Sequence, residues 1–247
     1  MTKERQIDKL RRMIEANDHI VCLLGVGMGM ECGLKNRWCN EEAYRVEEEY
    51  GYSPEEIYSA GFYSTKTEEF FKYYKRECLD LDVQPSEAHY SLLKLEQAGK
   101  LTACITHNIN CMAVKAGLKN VIELHGSVHD NECPKCHKKY SAAFIKEAVG
   151  VPLCESCKQP IRPHVKLTGE MLRNDKMTLA ANACQAAHMV LVLGTNLNHP
   201  MVKSFLHYYT GDKVVLITKH EHYTDKLADL CIYGEVRKIL PQAIKKE

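Results

Sequence analysis

The sequence predicts an α/β fold: a parallel sheet with helices on both faces, interrupted by a small metal-binding insert. Three observations carry this. Short apolar runs alternate with helix-length segments along the chain. The first run ends in a glycine-rich turn, Gly25-Val-Gly-Met-Gly29, the place where such a sheet seats a dinucleotide phosphate. Two Cys-x-x-Cys pairs, Cys133/Cys136 and Cys154/Cys157, then break the alternation. The 247 residues suit one large domain, or a large domain with a small insert, and bury a core without cross-links.

Each element has its own local reason. Residues 3–16 carry Ile7, Leu10 and Ile14 at helical spacing, closed by Asn17-Asp18. HIVCLL (19–24) reads as a buried strand. Residues 36–84 are charged and aromatic with helix signals. Ser53-Pro-Glu-Glu56 is a capping box with proline at the first helical position. Residues 65–79 set Phe70, Phe71, Tyr73 and Tyr74 in a charged frame, as in a half-buried helix. A helix starts at Ser86 and stops at Gly99. Strands follow at 101–106 (LTACIT) and 120–124 (NVIEL). After the cysteine insert come a helix at 176–187, the strand MVLVLG (189–194), a helix at 200–209 and the strand KVVLIT (213–218). LADLCIYGEVRKILPQAI closes the pattern.

Composition excludes several classes. Hydrophobic content is 45% and the net charge is +1. A balance so near neutral gives no electrostatic reason to expect nucleic acid or an anionic membrane as partner. No apolar run approaches a membrane span. The amphipathic start, MTKERQIDKLRRMIEAND, has no signal-peptide core, so a cytoplasmic location is expected. A reducing compartment disfavours disulfides among the twelve cysteines. Eight are scattered singly and read as small buried hydrophobes.

The other four raise a choice between metal clamp, redox centre, haem attachment and disulfides. Two residues between cysteines let both thiolates reach one ion, and seventeen residues separate the pairs, the spacing of a tetrathiolate zinc site. Four such ligands leave no open position, so one structural zinc is expected. A redox centre needs only one pair. Cys133-Pro-Lys-Cys136-His137 matches a haem-attachment pattern, but this leaves Cys154 and Cys157 without a role. His137 then reads as a bystander.

Four strand ends carry small or polar groups that point to a pocket: GVGMGMECG (25–33), ITHNIN (105–110), ELHGS (123–127) and GTNLNHP (194–200). The first is not G-x-G-x-x-G, because the third glycine would fall on Met30. An ordinary strand-to-helix turn is the alternative. His125, after a strand and before a glycine, is the candidate general base; a satisfied core histidine is the other possibility.

Taken together and in order, these segments resemble the sirtuins, the NAD-dependent protein deacylases. The family's phosphate loop, G-A-G through P-D-F-R, is similar to Gly25 through Trp38. Its P-x-x-A-H helix and T-Q-N-I-D strand end resemble Pro85 to His89 and Thr106 to Asn110. Its catalytic HG resembles His125-Gly126, followed by the four-cysteine ribbon. Its R-P-x-V-V-W-F-G-E, G-T-S-L-x-V-x-P and terminal A-D stretches resemble Arg162–Glu170, Gly194–Pro200 and Ala228-Asp229.

The resemblance implies a Rossmann-like domain at 1–128 and 164–247 with a helical module at about 38–84, and a zinc ribbon at 129–163. It implies NAD and one structural Zn2+ as cofactors, an acylated protein as partner, and His125 and Asn108 as catalytic residues. It implies NAD contacts at Gly25, Val26, Gly27, Glu31, Cys32, Asn36, Trp38, His107, Asn108, Asn110, Gly194, Thr195, Asn196, Thr218 and Lys219, and zinc ligation by Cys133, Cys136, Cys154 and Cys157. The implied reaction is protein-lysine deacylation that releases nicotinamide and O-acyl-ADP-ribose.

Departures keep alternatives open. The family's P-D-F-R is here Lys35-Asn36-Arg37-Trp38, and its T-Q-N-I-D is Thr106-His107-Asn108-Ile109-Asn110. Two carboxylates have become amides, which removes charge that stabilises a developing cationic sugar. Lys166 stands where the family's substrate stretch is apolar, and either favours an acidic acyl group or points to solvent. Residues 55–74 resemble the helical module of a divergent microbial branch that includes macrodomain-linked sirtuins. A protein mono-ADP-ribosyltransferase and an NAD or ADP-ribose sensor with little turnover are therefore the competing functions.

Overall fold

The computed structural model describes residues 2–244. Among them nine strands are β1 Ile20–Leu24, β2 Leu101–Thr106, β3 Val121–Glu123, β4 Gly126–Glu132, β5 Lys139–Tyr140, β6 Arg162–Val165, β7 Met189–Leu193, β8 Val214–Thr218 and β9 Leu230–Tyr233. The chain's contacts divide it into two compact units. One holds residues 1–33, 84–124 and 173–247; the other holds 34–83 and 125–172.

The first unit contains the parallel sheet, ordered β3-β2-β1-β7-β8-β9. In order of appearance within this sheet, that is the 3-2-1-4-5-6 winding of dinucleotide-binding folds. β1 and β7 are buried at every residue, as strands covered on both faces are. Helix Val236–Ala243 packs on both Lys3–Glu15 and Glu87–Gln97, and Asn174–Gln185 packs on β2, β3 and the helix Pro200–Leu206. Ile7, Leu10 and Ile14 are buried as their spacing requires. β9 and the helix after it form from the closing stretch, which the sequence pattern left without assignment.

His89 sits inside this unit, 2% exposed. Its Nδ1 accepts from the Ser86 backbone N–H at 3.3 Å and lies 3.1 Å from Ser86 Oγ, which closes a capping box at the start of the helix Glu87–Gln97. Burial pushes its pKa down to about 4 from 6.5. The folded state therefore binds fewer protons than the unfolded state over that interval. Stability is complete above about pH 6.5 and is expected to fall, by about 3 kcal/mol, as pH drops towards 4. Urea unfolding at several pH values checks this: His89→Gln, which keeps the capping geometry, should flatten the decline.

The second unit joins the helical module to the cysteine segment. The sequence reading assigned residues 38–84 to the large domain, whereas contacts group 34–83 with 125–172. The reason is local packing. Ser59 bridges Thr168, and Tyr58 O accepts from the Thr168 N–H at 3.0 Å. The Arg162 guanidinium lies over the Tyr63 ring at 4.9 Å, and helix Ala142–Glu147 packs on residues 74–78.

The helix expected over 65–79 is in fact interrupted at its start and changes type near its end. Ala60–Thr65 and Thr67–Tyr73 meet at Lys66, which leaves helical geometry at φ −130° and ψ 53°, and Tyr74–Cys78 widens into a π-helical turn. Phe70, Phe71, Tyr73 and Tyr74 are all fully buried, so an aromatic core replaces the half-buried helix.

Candidate NAD, zinc and catalytic residues

Parallel register brings the strand ends to one level. Leu24 pairs with Thr106 on one side and Leu193 on the other, and Thr106 pairs with Glu123. The residues that follow, Gly25, His107 and Gly194, therefore emerge side by side. The winding reverses between β1 and β7, and open α/β sheets bind ligands at that reversal.

Two glycine turns meet there. The Gly27 N–H donates to Gly194 O at 2.9 Å. A Cβ on Gly25 would lie 2.3 Å from Thr195 Cβ, and one on Gly27 would lie 2.6 Å from Gly194 O. Gly194 itself holds φ +67°. Such backbone proximity is possible only without side chains. Met30, where the fingerprint's third glycine would fall, is 46% exposed.

β2's end braces this meeting point. Asn108 donates from Nδ2 to Gly25 O at 2.8 Å, and its N–H donates to Thr106 Oγ1 at 3.0 Å. His107 stacks on His199, with ring centroids 4.9 Å apart and planes 9° off parallel, and its Nδ1 lies 3.2 Å from Met201 Sδ. Asn110 is buried, and Cys111 follows at φ 57°, a left-handed conformation uncommon outside glycine. Val26 opens the short helix after Gly25, and Asn196 Oδ1 accepts from the Asn198 N–H at 2.9 Å. Thr218, at the end of β8, is buried, and Lys219 pairs with Glu235 at 3.4 Å.

Two residues expected at the dinucleotide have visible internal partners. Both carboxylate oxygens of Glu31 accept from the first N–H groups of the last helix, Val236 at 2.8 Å and Arg237 at 2.7 Å, the end where a negative charge stabilises a helix. Cys32 donates to Met28 O at 3.3 Å and lies 3.7 Å from His89 Nδ1. Two residues that spacing did not single out stand out by environment. His199 Nδ1 is buried without a partner among the described residues, and Glu123 Oε1 likewise. Burial holds the His199 ring neutral and pushes the Glu123 carboxyl up. Neither signal is readable from sequence.

In the second unit His125 follows β3 in the chain and is half-buried. Its carbonyl accepts from the Lys166 N–H at 2.8 Å. Gly126 has φ +70°, and a Cβ there would lie 1.9 Å from His164 O. Arg162 binds Glu170 at 2.6 Å, and Glu170 also receives the Leu167 N–H at 2.7 Å, so the β6 loop beside His125 is fixed by charge-assisted bonds. Gly126→Ala is expected to cost about 2–4 kcal/mol, from the left-handed backbone and the clash together. Gly33→Ala, at φ +100° but in open space, should cost about 1–2 kcal/mol; thermal unfolding compares the two. Asn36 Oδ1 accepts from the N–H of Trp38, which is 51% exposed.

The four insert cysteines converge. Their sulfurs lie within 4.8 Å of one another, with Cys133–Cys157 at 3.2 Å, Cys136–Cys154 at 3.5 Å and Cys136–Cys157 at 3.7 Å. A zinc tetrahedron with bonds of about 2.3 Å places its sulfurs about 3.8 Å apart, so the donor set fits that ion. The two knuckles repeat one pattern. Cys133 N–H donates to Lys138 O and His137 N–H to Cys133 O, just as Cys154 N–H donates to Gln159 O and Lys158 N–H to Cys154 O. His137 and Lys158 hold the matching left-handed positions, φ 59° and 60°. His137's ring turns to Glu132 at 2.6 Å, so it is a knuckle residue outside the sulfur cluster. Tyr140 OH donates to Cys154 Sγ at 3.1 Å and orients that ligand.

Comparison with known proteins agrees with both halves. The Sir2 family model matches residues 25–200. An NAD-dependent protein deacetylase of Clostridium acetobutylicum is 33% identical over 97% of this chain and 98% of its own. One from Clostridium perfringens is 35% identical with the same coverage. A solved structure described by the mechanism and regulation of Sir2 enzymes superposes with TM-score 0.86 at 25% identity, over 97% of this chain and 95% of that one. A Sir2–p53 peptide–NAD+ complex superposes with TM-score 0.81 at 29% identity, over 96% of each chain.

Proposed function

The chain belongs to the Sir2 family, and from that premise we propose that it is an NAD-dependent protein-lysine deacylase acting on acylated proteins. The intact His125-Gly126 step after β3, in a chain that aligns with deacetylases along nearly its whole length, is the observation that carries this. NAD, when bound, supplies the ADP-ribosyl group that takes the acyl chain, so the products are nicotinamide, unmodified lysine and O-acyl-ADP-ribose.

The chain's own groups divide the work. Gly25, Gly27 and Gly194 let backbone approach the dinucleotide, while Thr195, Asn196 and Thr218 offer it hydroxyl and amide groups. Asn108 is a positioning residue, since its amide holds the Gly25 carbonyl. His125 removes a proton from a ribose hydroxyl, the task of a neutral imidazole near pH 7. The four thiolates would hold one zinc with no open position, so its contribution is to the fold. Among the described residues no disulfide joins any of the twelve cysteines, which suits a reducing cytoplasm.

Asn36 and Asn110, amides where the family pattern has acids, favour a second activity: ADP-ribosyl transfer to a protein side chain. Mass spectrometry of mixed acyl-lysine peptides and carrier proteins after incubation with NAD separates the two. Loss of an acyl mass is expected. Gain of an ADP-ribose mass on protein would replace the deacylase with the transferase, and unchanged masses with NAD bound would make the protein a sensor.

A further inference from the structure

Two histidines meet at the end of the parallel sheet opposite the glycine turns. His19 directly precedes Ile20 and His188 directly precedes Met189, and Ile20 pairs with Met189 where β1 and β7 begin. Their rings lie 4.7 Å apart, centroid to centroid, with planes tilted by 60°. Both residues are exposed. Their backbones are pinned to each other and to the fold. The His188 N–H donates to His19 O at 2.8 Å, and Tyr209 OH donates to His188 O at 3.0 Å. Among the described residues neither ring has a hydrogen-bond or ion-pair partner.

Neutral imidazole is the commonest metal ligand among side chains, and it binds along the nitrogen lone pair, in the plane of the ring. An ion shared by two rings must therefore lie in both planes. Planes tilted by 60° meet along a line where such an ion can sit. The His107–His199 pair, only 9° off parallel at 4.9 Å, has no such line within reach, so it is a stack and not a chelate. The separation of His19 and His188 also fits. An ion about 2.1 Å from a ring nitrogen stands about 3.2 Å from the ring centroid, so centroids 4.7 Å apart subtend about 95° at it. Neighbouring ligands of a square-planar ion are about 90° apart, the geometry of Cu2+ and Ni2+ with nitrogen donors. Asp18, next in the chain, is held by the Lys100 ammonium at 3.1 Å. The protein thus offers two nitrogens, and at an exposed site water fills the other positions.

We propose that His19 and His188 form a surface site for one divalent transition-metal ion of the imidazole-favouring class, Ni2+, Cu2+ or Zn2+. The donor set is distinct from the four sulfurs of the ribbon, which lie in the other unit. A bound ion ties together the starts of the two strands whose far ends carry the glycine turns. The site is defined by binding alone, so it stands or falls apart from the deacylase assignment.

Nickel chloride is the probe, because Ni2+ does not oxidise thiols. It would be titrated calorimetrically into the zinc-loaded full chain, with zinc in solution measured in parallel. One Ni2+ per chain is expected, with no zinc released, and Ni2+ should raise the thermal unfolding midpoint. His19→Ala and His188→Ala should each weaken binding by at least the 10–100-fold, or about that, which loss of an outer-shell partner costs a metal site, and each should abolish the rise in midpoint. Both side chains are exposed, so the variants should unfold at the parent's temperature without nickel. His220→Ala, exposed beyond the end of β8, should bind as the parent does. No nickel uptake, uptake matched by zinc release, or an affinity that survives either His19→Ala or His188→Ala would overturn the proposal.

Discussion

Replacing His125 with alanine is expected to lower kcat/KM for deacylation by a factor of about 10²–10⁴, roughly 3–5 kcal/mol of transition-state stabilisation, while leaving NAD affinity close to the parent value. The physical grounds are separable. A general base contributes only when a proton moves, so its loss is felt in turnover. The dinucleotide contacts assigned to Gly25, Gly27, Gly194 and Thr195 come from other strand ends and keep their geometry. Gly126 stays pinned against His164 O, so the variant keeps its backbone. Steady-state kinetics paired with calorimetric NAD titration reads both quantities. Undiminished turnover would remove His125 from the chemistry, and parallel loss of turnover and NAD binding would make its role structural.

Zinc removal should have the largest effect on stability. Structural zinc sites contribute about 10–16 kcal/mol in small domains, as much as the whole stability of a typical fold, about 5–15 kcal/mol. Cys133 and Cys154 are fully buried, and without the metal the two knuckles lose the ion that ties them together. Metal analysis should give about one zinc per chain. Cys154→Ser, or a strong chelator, should abolish the metal and unfold residues 125–172. Cys184→Ala, equally buried but outside the cluster, should cost only about 1 kcal/mol. Equal stability of the Cys154→Ser and Cys184→Ala proteins would refute a structural zinc.

Legibility differed by feature, for physical reasons. The zinc site was fully readable, because two-residue spacing encodes each knuckle locally. The five strands predicted were readable because a covered parallel strand is a continuous apolar run; β1 and β7 are buried at every residue. β9 was not, since it lies at the sheet's end and alternates buried with partly exposed residues. Periodicity over 65–79 gave a helix but no sign of the break at Lys66 or the π-turn, which depend on aromatic packing. Long-range pairings were invisible. Glu31 meets Val236 across 205 positions, and Tyr63 donates to Ile161 O across 98, so neither the seat of the last helix nor the grouping of the helical module with the ribbon could be read along the chain. Motif alone nominates His125 and the glycine turns, but the brace from Asn108 and the His107–His199 stack required coordinates.

The central claim is that acyl removal and NAD cleavage are one reaction. Its most direct test is to quantify nicotinamide, deacylated lysine and O-acyl-ADP-ribose together in a single incubation of the parent protein with NAD and an acyl-lysine peptide. Equal amounts of all three, with none formed when either substrate is left out, are expected. Acyl loss without nicotinamide release, or nicotinamide release with the lysine still acylated and ADP-ribose on protein, would contradict it.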